Sequence, residues 1–416
     1  MHNRLDGFCS PSTSRMKNMA CRLAQALSIA DLRVIAKRRL PRAVFEFIDG
    51  GSEDEITLRE NRSAFERIRL LPRVLNDVSA PDIRTTLAGK EAQAPIVIAP
   101  MGSCMLAWPQ ADIAIARAAA GLGLPYTLST MSTTSIEAMA QAVQGELWFQ
   151  LYVLKDRAFN DQLVDRAQSA GYGALVVTVD LQAGGKRERD LRNGITIPLR
   201  LSMRQVLSGM AHPGWALQML RGGSPQFENV RGYMGNQAAN LTIAAKVGQS
   251  LDPSYDWNDL ARLRERWKGK LLVKGVEHPQ DAARLAALGV DGIWISNHGG
   301  RQLDGAVASA DALPAIAAQL AGKIPLLIDS GVRRGVDILK ARVLGAQAVA
   351  VGRAVLYGAA AGGEAGARRA LQILMDELRL SMMLSGVASL HDAGASLHHP
   401  AIRTSITSTL AEQMYR

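Results

Sequence analysis

Short runs of apolar, often β-branched residues recur along the chain, and an alanine- and leucine-rich segment with helical spacing follows each of them. Eight such runs lie at 96–100, 126–130, 147–153, 174–180, 271–276, 292–297, 325–330 and 348–353. Continuous apolar runs are typical of strands buried in a parallel sheet, and their alternation with helices indicates βα units. The pattern predicts an α/β fold, a closed (β/α)8 TIM barrel, with a doubly wound open sheet as the alternative.

The N-terminal part departs from this repeat. Residues 1–94 are expected to form a helical extension that packs on the barrel, with 1–22 disordered. Ser28-Ile29-Ala30-Asp31 has the pattern of a capping box, and Leu40-Pro41 that of a helix boundary. The barrel is expected to occupy 95–386, and a C-terminal tail 387–416.

A second departure is an insertion of roughly ninety residues at 181–270, between the fourth and fifth strands, which far exceeds usual connections. It mixes apolar and basic side chains, namely Met203, Met210, Trp215, Leu217, Met219 and Leu220 among Arg200, Arg204 and Arg221. Such a mixture suits a segment that lies in the interface of a bilayer, so peripheral membrane contact is expected through 198–225. A lid or an oligomer contact could use the same residues.

Composition narrows the classes of partner and site. The formal net charge of +10 favours anionic partners, such as nucleic acid, phosphate-bearing cofactors, acidic substrates or an anionic bilayer. Cys9, Cys21 and Cys104 have no metal-ligand spacing and are odd in number, so neither a zinc site nor a disulfide framework is supported. No run of about 18 apolar residues predicts a membrane-spanning helix.

The candidate chemistry begins in the loop after the sixth predicted strand, 296–304. The apolar run Gly292-Ile293-Trp294-Ile295 places His298 and Arg301 three residues apart in a glycine-bearing loop. An imidazole can accept a proton near neutral pH, and a guanidinium can hold a carboxylate by two parallel hydrogen bonds. The pair predicts chemistry on a small organic acid. The alternative is a histidine that caps the next helix and an arginine in a surface ion pair.

Other strand ends add groups that would meet in a barrel. Asp180 could pair with a protonated His298 or merely cap a turn, and Lys274 could stabilise an anion that develops on a bound cofactor. The loops after the last two strands combine glycines with arginines, which predicts a phosphate site rather than a Walker-type loop. Its candidate residues are Gly331, Arg333, Gly352 and Arg353.

From about Leu40 to Gly386 the chain resembles the FMN-dependent α-hydroxy-acid dehydrogenase and oxidase family. The resemblance is carried by Gly50-Gly51-Ser52-Glu53-Asp54-Glu55, Ile98-Ala99-Pro100, Trp148-Phe149-Gln150-Leu151-Tyr152-Val153, Thr178-Val179-Asp180, Arg187-Glu188-Arg189-Asp190, Leu272-Val273-Lys274-Gly275, the 296–304 motif and Asp329-Ser330-Gly331-Val332-Arg333-Arg334-Gly335. Ala107-Trp108-Pro109 and His212-Pro213-Gly214-Trp215 are most similar to its mandelate-oxidising members.

The resemblance implies a role for each matching residue. His298 would be the catalytic base and Asp180 its partner, while Arg187 and Arg301 would bind the substrate carboxylate and Tyr152 would hydrogen bond beside the substrate oxygen. The implied FMN-binding residues are Pro100, Met101, Gly102, Ser129, Gln150, Thr178, Lys274, Ser296, Asp329, Gly331, Arg333, Gly352 and Arg353. Two electrons would pass from the substrate α-carbon to the flavin, by a hydride or a carbanion route.

Departures from the family pattern affect the substrate side. The family usually has a tyrosine at Phe47, so one donor to the substrate carboxylate is missing. Met101 stands where threonine is common, and Met131 occupies a position that shapes the side-chain pocket. Gly102 matches a position where glycine accompanies dehydrogenases. The implied substrate is a mandelate-like or lactate-like (S)-2-hydroxy acid.

The resemblance also implies partners and a location. A quinone-type acceptor, peripheral contact with the cytoplasmic side of the inner membrane and a homotetramer are expected, and nucleic acid is not. The alternatives are an oxygen-using 2-hydroxy-acid oxidase and a non-enzymatic basic binding module, which would bind no flavin and show steep salt dependence.

Overall fold

A computed structural model of the chain describes residues 21–194, 209–223, 225–234, 243–394 and 397–399. Its centre is a closed parallel barrel, which confirms the predicted (β/α)8 architecture. The barrel strands are β4 Ile96–Ile98, β5 Tyr126–Ser129, β6 Leu147–Tyr152, β7 Ala174–Thr178, β8 Lys270–Val276, β9 Gly292–Ile295, β10 Leu326–Ile328 and β11 Ala348–Val351. They follow one another around the barrel, and β11 closes it against β4 through the pair Ala350–Val97. Their carboxyl ends therefore surround one mouth.

Helices follow the strands as the apolar spacing predicted. Those packed around the barrel are α4 Ala111–Ala120, α5 Ile136–Ala142, α6 Arg157–Ser169, α11 Trp257–Arg266, α12 Pro279–Leu288, α13 Ser309–Leu320, α14 Gly335–Val343 and α15 Arg353–Leu384. The last is not a straight helix, because Gly362 and Gly363 have non-helical dihedral angles. A Cβ on Gly363 would lie 2.7 Å from the Trp108 ring, so the kink allows a close approach.

The core has two parts. A large apolar layer lies between strands and helices, and a smaller one fills the barrel. Inside, Trp148 and Trp294 are fully buried with alternate residues of the other strands. Leu87, from the hairpin β2 Thr85–Leu87 and β3 Lys90–Ala92, belongs to this inner cluster. The barrel interior is thus filled by side chains, which leaves its mouth as the place for a site.

The segment before the barrel is helical up to Arg67. It contains α1 Ile29–Arg39, α2 Arg42–Asp49 and α3 Ile56–Arg67. Ser28 and Asp31 form the predicted capping box, and α1 ends before Leu40 as predicted. Beyond α3 the chain adds β1 Arg69–Leu70, which pairs with β12 His398–His399, before it reaches the hairpin. Strand structure in this segment was not predicted, because two- and three-residue strands have too short a pattern to read.

The insertion between β7 and β8 contains α7 Glu188–Asn193, α8 Pro213–Gly222, α9 Arg231–Met234 and α10 Ile243–Ser250. In α8 the predicted interfacial residues divide between two sides. Trp215 and Met219 are buried, and the Trp215 Nε1 donates to Leu106 O at 2.8 Å. Leu217 is exposed, and Leu220 is 82% exposed.

The part of the predicted membrane segment that carries Arg200, Met203 and Arg204 lies outside the described residues. Within the described ranges, no helix is both long and apolar enough to span a bilayer.

Candidate active site

One cavity opens at the carboxyl ends of the barrel strands, where the sequence predicted the site. Sixteen of the predicted residues line it, namely Phe47, Pro100, Met101, Gly102, Met131, Tyr152, Thr178, Arg187, Lys274, His298, Arg301, Asp329, Gly331, Arg333, Gly352 and Arg353. Four predicted residues, Ser129, Gln150, Asp180 and Ser296, are not in the lining. They lie behind it and hydrogen bond to residues that are.

His298 lies between an acid and a phenol. Its Nδ1 is 3.0 Å from Asp180 Oδ1, and its Nε2 is 3.3 Å from the Tyr152 hydroxyl. Burial lowers the pKa of His298, with Lys274 and Arg187 acting in the same direction, although Asp180 opposes them. Burial would raise the pKa of Asp180, but the charges of His298 and Lys274 outweigh it and lower that pKa. The arrangement places the imidazole against a carboxylate that can orient it and stabilise its protonated form.

The loop that presents His298 requires an unusual backbone. His298, Gly299 and Gly300 have successive positive φ values of 58°, 69° and 70°. Only the glycines adopt this region without cost, and a Cβ at Gly300 would lie 2.6 Å from the Leu58 backbone nitrogen. Asn297 supports the turn by accepting from the Gly300 N–H at 3.1 Å. The two glycines are therefore required for the turn, and His298 itself adopts the left-handed conformation at some cost.

Three arginines lie close together in the lining of the cavity. Arg301 donates to Phe47 O at 2.8 Å and to Gly50 O at 3.0 Å, while Arg187 donates to Arg301 O at 3.3 Å. Burial lowers the pKa of Arg301 to about 10, with the charge of Arg187 as the next cause. Arg353 likewise has its pKa lowered to about 10, first by burial and then by Arg301. Such mutual repulsion would be relieved by a bound anion.

Lys274 reaches the cavity from β8 and is only 4% exposed. Its Nζ donates to Ser296 Oγ at 2.7 Å and lies 3.4 Å from Asp329 Oδ2. Burial alone would lower the pKa of Lys274, but Asp329 and Asp180 outweigh it and raise that pKa. The ammonium is therefore charged and held in one place, and Ser296 is its support.

A chain of hydrogen bonds joins three strand ends beneath the cavity. Ser129 Oγ donates to Gln150 Oε1 at 3.0 Å, and Gln150 Nε2 donates to Thr178 Oγ1 at 2.9 Å. All three residues are buried. The chain fixes the Thr178 hydroxyl, which does line the cavity.

The far end of the cavity is formed by the loops after β10 and β11. Arg333 donates from Nη1 to Val332 O at 2.7 Å, and no carboxylate within the described residues forms an ion pair with it. Gly331 and Gly352 flank this guanidinium in the lining. A cation beside glycine backbone suits a phosphate group.

The charges of the lining are unequal. It contains five cationic side chains, those of Arg187, Lys274, Arg301, Arg333 and Arg353, against one carboxylate, that of Asp329. A buried surplus of positive charge is costly unless anions compensate it. Asp180 and Asp190, outside the lining, offset part of this surplus at 3.9 Å from Lys274 Nζ and 4.0 Å from Arg301 Nη2, and the positive charge that remains suits an anionic ligand.

Sequence reasoning missed the walls that the insertion supplies. Leu181, Gly184, Phe227, Val247 and Gly248 line the cavity. Their sequence contains no motif, and they meet the mouth only because the insertion folds back over it. Gln302 was also missed, although it lies within the predicted 296–304 motif; it hydrogen bonds to Gly185 N at 3.2 Å.

Comparison with known proteins gives a consistent family. The family profile described as FMN-dependent dehydrogenase matches residues 36–400. An L-lactate dehydrogenase of Pectobacterium atrosepticum is 42% identical over 363 residues, which cover 87% of this chain and 94% of that protein. An L-lactate dehydrogenase of Pseudomonas aeruginosa is 42% identical over 366 residues, or 88% and 96% of the two chains.

Solved structures agree with this. The monotopic membrane protein (S)-mandelate dehydrogenase superposes with a TM-score of 0.85 at 40% identity, covering 90% of this chain and 99% of that one. Mandelate oxidase with (S)-4-hydroxymandelic acid superposes with a TM-score of 0.79 at 35% identity, covering 90% and 98%.

Proposed function

The chain belongs to the FMN-dependent dehydrogenase family and is an FMN-dependent 2-hydroxy-acid oxidoreductase, and from this premise we propose that it oxidises a mandelate-like or lactate-like (S)-2-hydroxy acid to the 2-oxo acid and passes the electrons to a quinone-type acceptor. The observation that carries the proposal is His298, paired with Asp180 at 3.0 Å, in a cavity wall that also holds Arg187 and Arg301. A base beside two buried guanidinium groups fits an alcohol next to a carboxylate.

The cavity residues fit FMN at both of its ends. The Arg333 guanidinium would hold the phosphate together with Gly331 and Gly352, since no carboxylate within the described residues pairs with it. The buried ammonium of Lys274 and the Thr178 hydroxyl would lie beside the ring system. When bound, FMN accepts the two electrons that the substrate loses.

Substrate binding and proton transfer fall to the chain itself. Arg187 and Arg301 would bind the substrate carboxylate and so fix the position of its α-carbon. His298 Nε2 would accept the proton, while Asp180 would hold the tautomer with the proton on Nδ1 and stabilise the imidazolium. The Tyr152 hydroxyl would stay protonated and donate to the substrate oxygen, because burial raises its pKa to about 12. Lys274 would stabilise negative charge that develops beside it.

We propose a membrane location for the acceptor step. The outer side of α8 exposes Leu217 and Leu220, and Arg221 lies in the last turn of the same helix. Apolar side chains next to a basic residue suit the headgroup region of an anionic bilayer. The similarity to a protein described as monotopic supports this. The proposal also includes contact with the cytoplasmic side of the inner membrane and assembly as a tetramer.

The test uses the flavin-loaded protein without oxygen. Addition of (S)-mandelate or (S)-lactate is expected to bleach the yellow colour, while the (R) acids leave it unchanged. His298→Ala is expected to keep the colour but to slow bleaching by at least about a thousandfold, within the range for loss of a catalytic base. His391→Ala, which removes an exposed histidine, is the matched control. Equal bleaching by wild type and His298→Ala would refute the assignment.

An oxygen-using oxidase is the alternative. Gly102 favours the dehydrogenase, because glycine accompanies dehydrogenases at this position of the family. A Cβ on Gly102 would lie 3.1 Å from both Cβ and O of Met131, so the glycine lets Met131 pack closely against the cofactor side of the cavity. The dehydrogenase proposal expects the reduced protein to reoxidise much faster with a water-soluble quinone than with air. Equal rates would favour the oxidase.

A further inference from the structure

Phe227 is an aromatic residue of the cavity wall that comes from the insertion rather than from a barrel strand. It is 5% exposed and lines the cavity together with Phe47, Met131, Leu181 and Val247. All five are apolar, in a cavity whose lining also includes Arg187 and Arg301. The part of a ligand that meets this wall is therefore apolar, while its anionic group lies near the arginines.

Asn229 fixes the position of Phe227. It is 2% exposed, and its Oδ1 accepts from the Ile136 N–H at 2.9 Å. Its Nδ2 donates to Ser129 O at 3.4 Å and to Thr134 O at 3.3 Å. These bonds join the insertion to the loop that follows β5. Three of these partners are backbone groups of the β5 loop and its neighbourhood, and the Arg166 guanidinium also donates to Asn229 Oδ1 at 3.5 Å.

The neighbouring residues make the same junction rigid. Glu228 N donates to Ser132 O at 3.2 Å, and Arg166 donates from Nη1 to Asn229 O at 3.3 Å. Met131 lies between Ser129 and Ser132, whose carbonyls both accept from the insertion, and its own carbonyl accepts from Ser103 N at 3.1 Å. Phe227 and Met131 are thus carried by a single hydrogen-bonded unit and form one wall.

We propose that Phe227 and Met131 select a 2-hydroxy acid whose substituent is an aryl group, and that Asn229 is the positioning residue that holds this wall. The proposal rests on the proposed function and specifies its substrate. A phenyl ring and a thioether make favourable contacts with another aromatic ring, whereas a methyl substituent would contact little of the wall. Phe47 adds a second ring on the same cavity.

The test compares kcat/KM for (S)-mandelate and (S)-lactate in the flavin-loaded protein. Wild type is expected to favour mandelate. Phe227→Ala is expected to lower the ratio of mandelate to lactate at least tenfold, chiefly through the KM for mandelate. Phe227→Leu, which keeps an apolar side chain of similar size, should lower the ratio less. Phe159→Ala is the matched control, because Phe159 stacks on Tyr233 of the insertion but does not line the cavity.

Asn229 is tested by the same ratio. Asn229→Ala should lower it in the same direction as Phe227→Ala, and Asn229→Asp, which retains the acceptor for the Ile136 N–H, should recover part of it. A variant that only loses stability would have kcat/KM lowered equally for both substrates. If the ratio in Phe227→Ala equals that of wild type, or if wild type favours lactate, the inference is wrong. If neither acid bleaches the flavin in wild type, the proposed function itself is wrong.

Discussion

Asp180→Asn tests whether the charge of Asp180, rather than its hydrogen bond, supports His298. The substitution keeps an oxygen that can accept from Nδ1, 3.0 Å away, but removes the negative charge. Two unit charges about 4 Å apart interact by ~4 kcal/mol at an effective dielectric constant of about 20. Lys274, whose Nζ lies 3.9 Å from Asp180 Oδ2, would then repel the imidazolium with only Asp329 to compensate its charge. Since about 1.4 kcal/mol changes a rate tenfold, flavin reduction should slow by about a hundred- to a thousandfold.

The assay is anaerobic stopped-flow bleaching of the flavin by a saturating 2-hydroxy acid. The absorption spectrum of the oxidised variant should match wild type, which shows that the cofactor site is intact. Asp281→Asn, an exposed carboxylate at the start of α12, is the control and should bleach at the wild-type rate. A rate for Asp180→Asn within threefold of wild type would show that Asp180 does not stabilise the imidazolium.

Four further outcomes are expected. Because burial lowers the pKa of His298 below its usual 6.5, the bleaching rate should be level near pH 7 and fall only as pH drops through that lowered pKa; a decline that begins above pH 7 would contradict this. Phe47→Tyr should restore a donor to the substrate carboxylate and lower KM by about ten- to a hundredfold with kcat little changed, as expected for ~1.5–3 kcal/mol from one hydrogen bond to a charged group. Arg333→Gln should weaken FMN binding about ten- to a hundredfold, measured by fluorescence of flavin released on ultrafiltration, because it removes a charged hydrogen bond of similar size. Leu220→Asp should reduce cosedimentation with anionic vesicles, while Leu27→Asp, at another exposed leucine outside the insertion, should not.

The barrel was predictable because its signal is local and repeated. Each buried strand is a continuous apolar run, and eight of them are enough to identify the fold. The helix start at Ser28–Asp31 was readable for the same reason, since a capping box lies within four residues. The short strands β1 and β12 were not, because their pairing joins residues about 330 positions apart and leaves no local pattern.

The candidate site likewise contains residues that the sequence predicted and residues that only the structure revealed. His298 and Asp180 follow strand ends and Lys274 lies near the carboxyl end of β8, so the barrel topology alone predicts that they meet. The wall that contains Phe227 could not be read, because its position depends on Asn229 and on backbone groups of the β5 loop. The predicted interfacial residues of α8 also needed the structure, which buries Trp215 and exposes Leu220.

The sequence by itself therefore determined the barrel, the family resemblance and the chemical types that gather at the strand ends. Only the tertiary structure decided which charged groups lie close enough to shift one another's pKa and which side chains line the substrate cavity. The reason is physical: strand and helix signals arise between near neighbours in the chain, whereas the pKa of a buried group and the shape of a cavity depend on every atom nearby. Residues such as Phe227 and His298, seventy-one positions apart, line one cavity only in the folded protein.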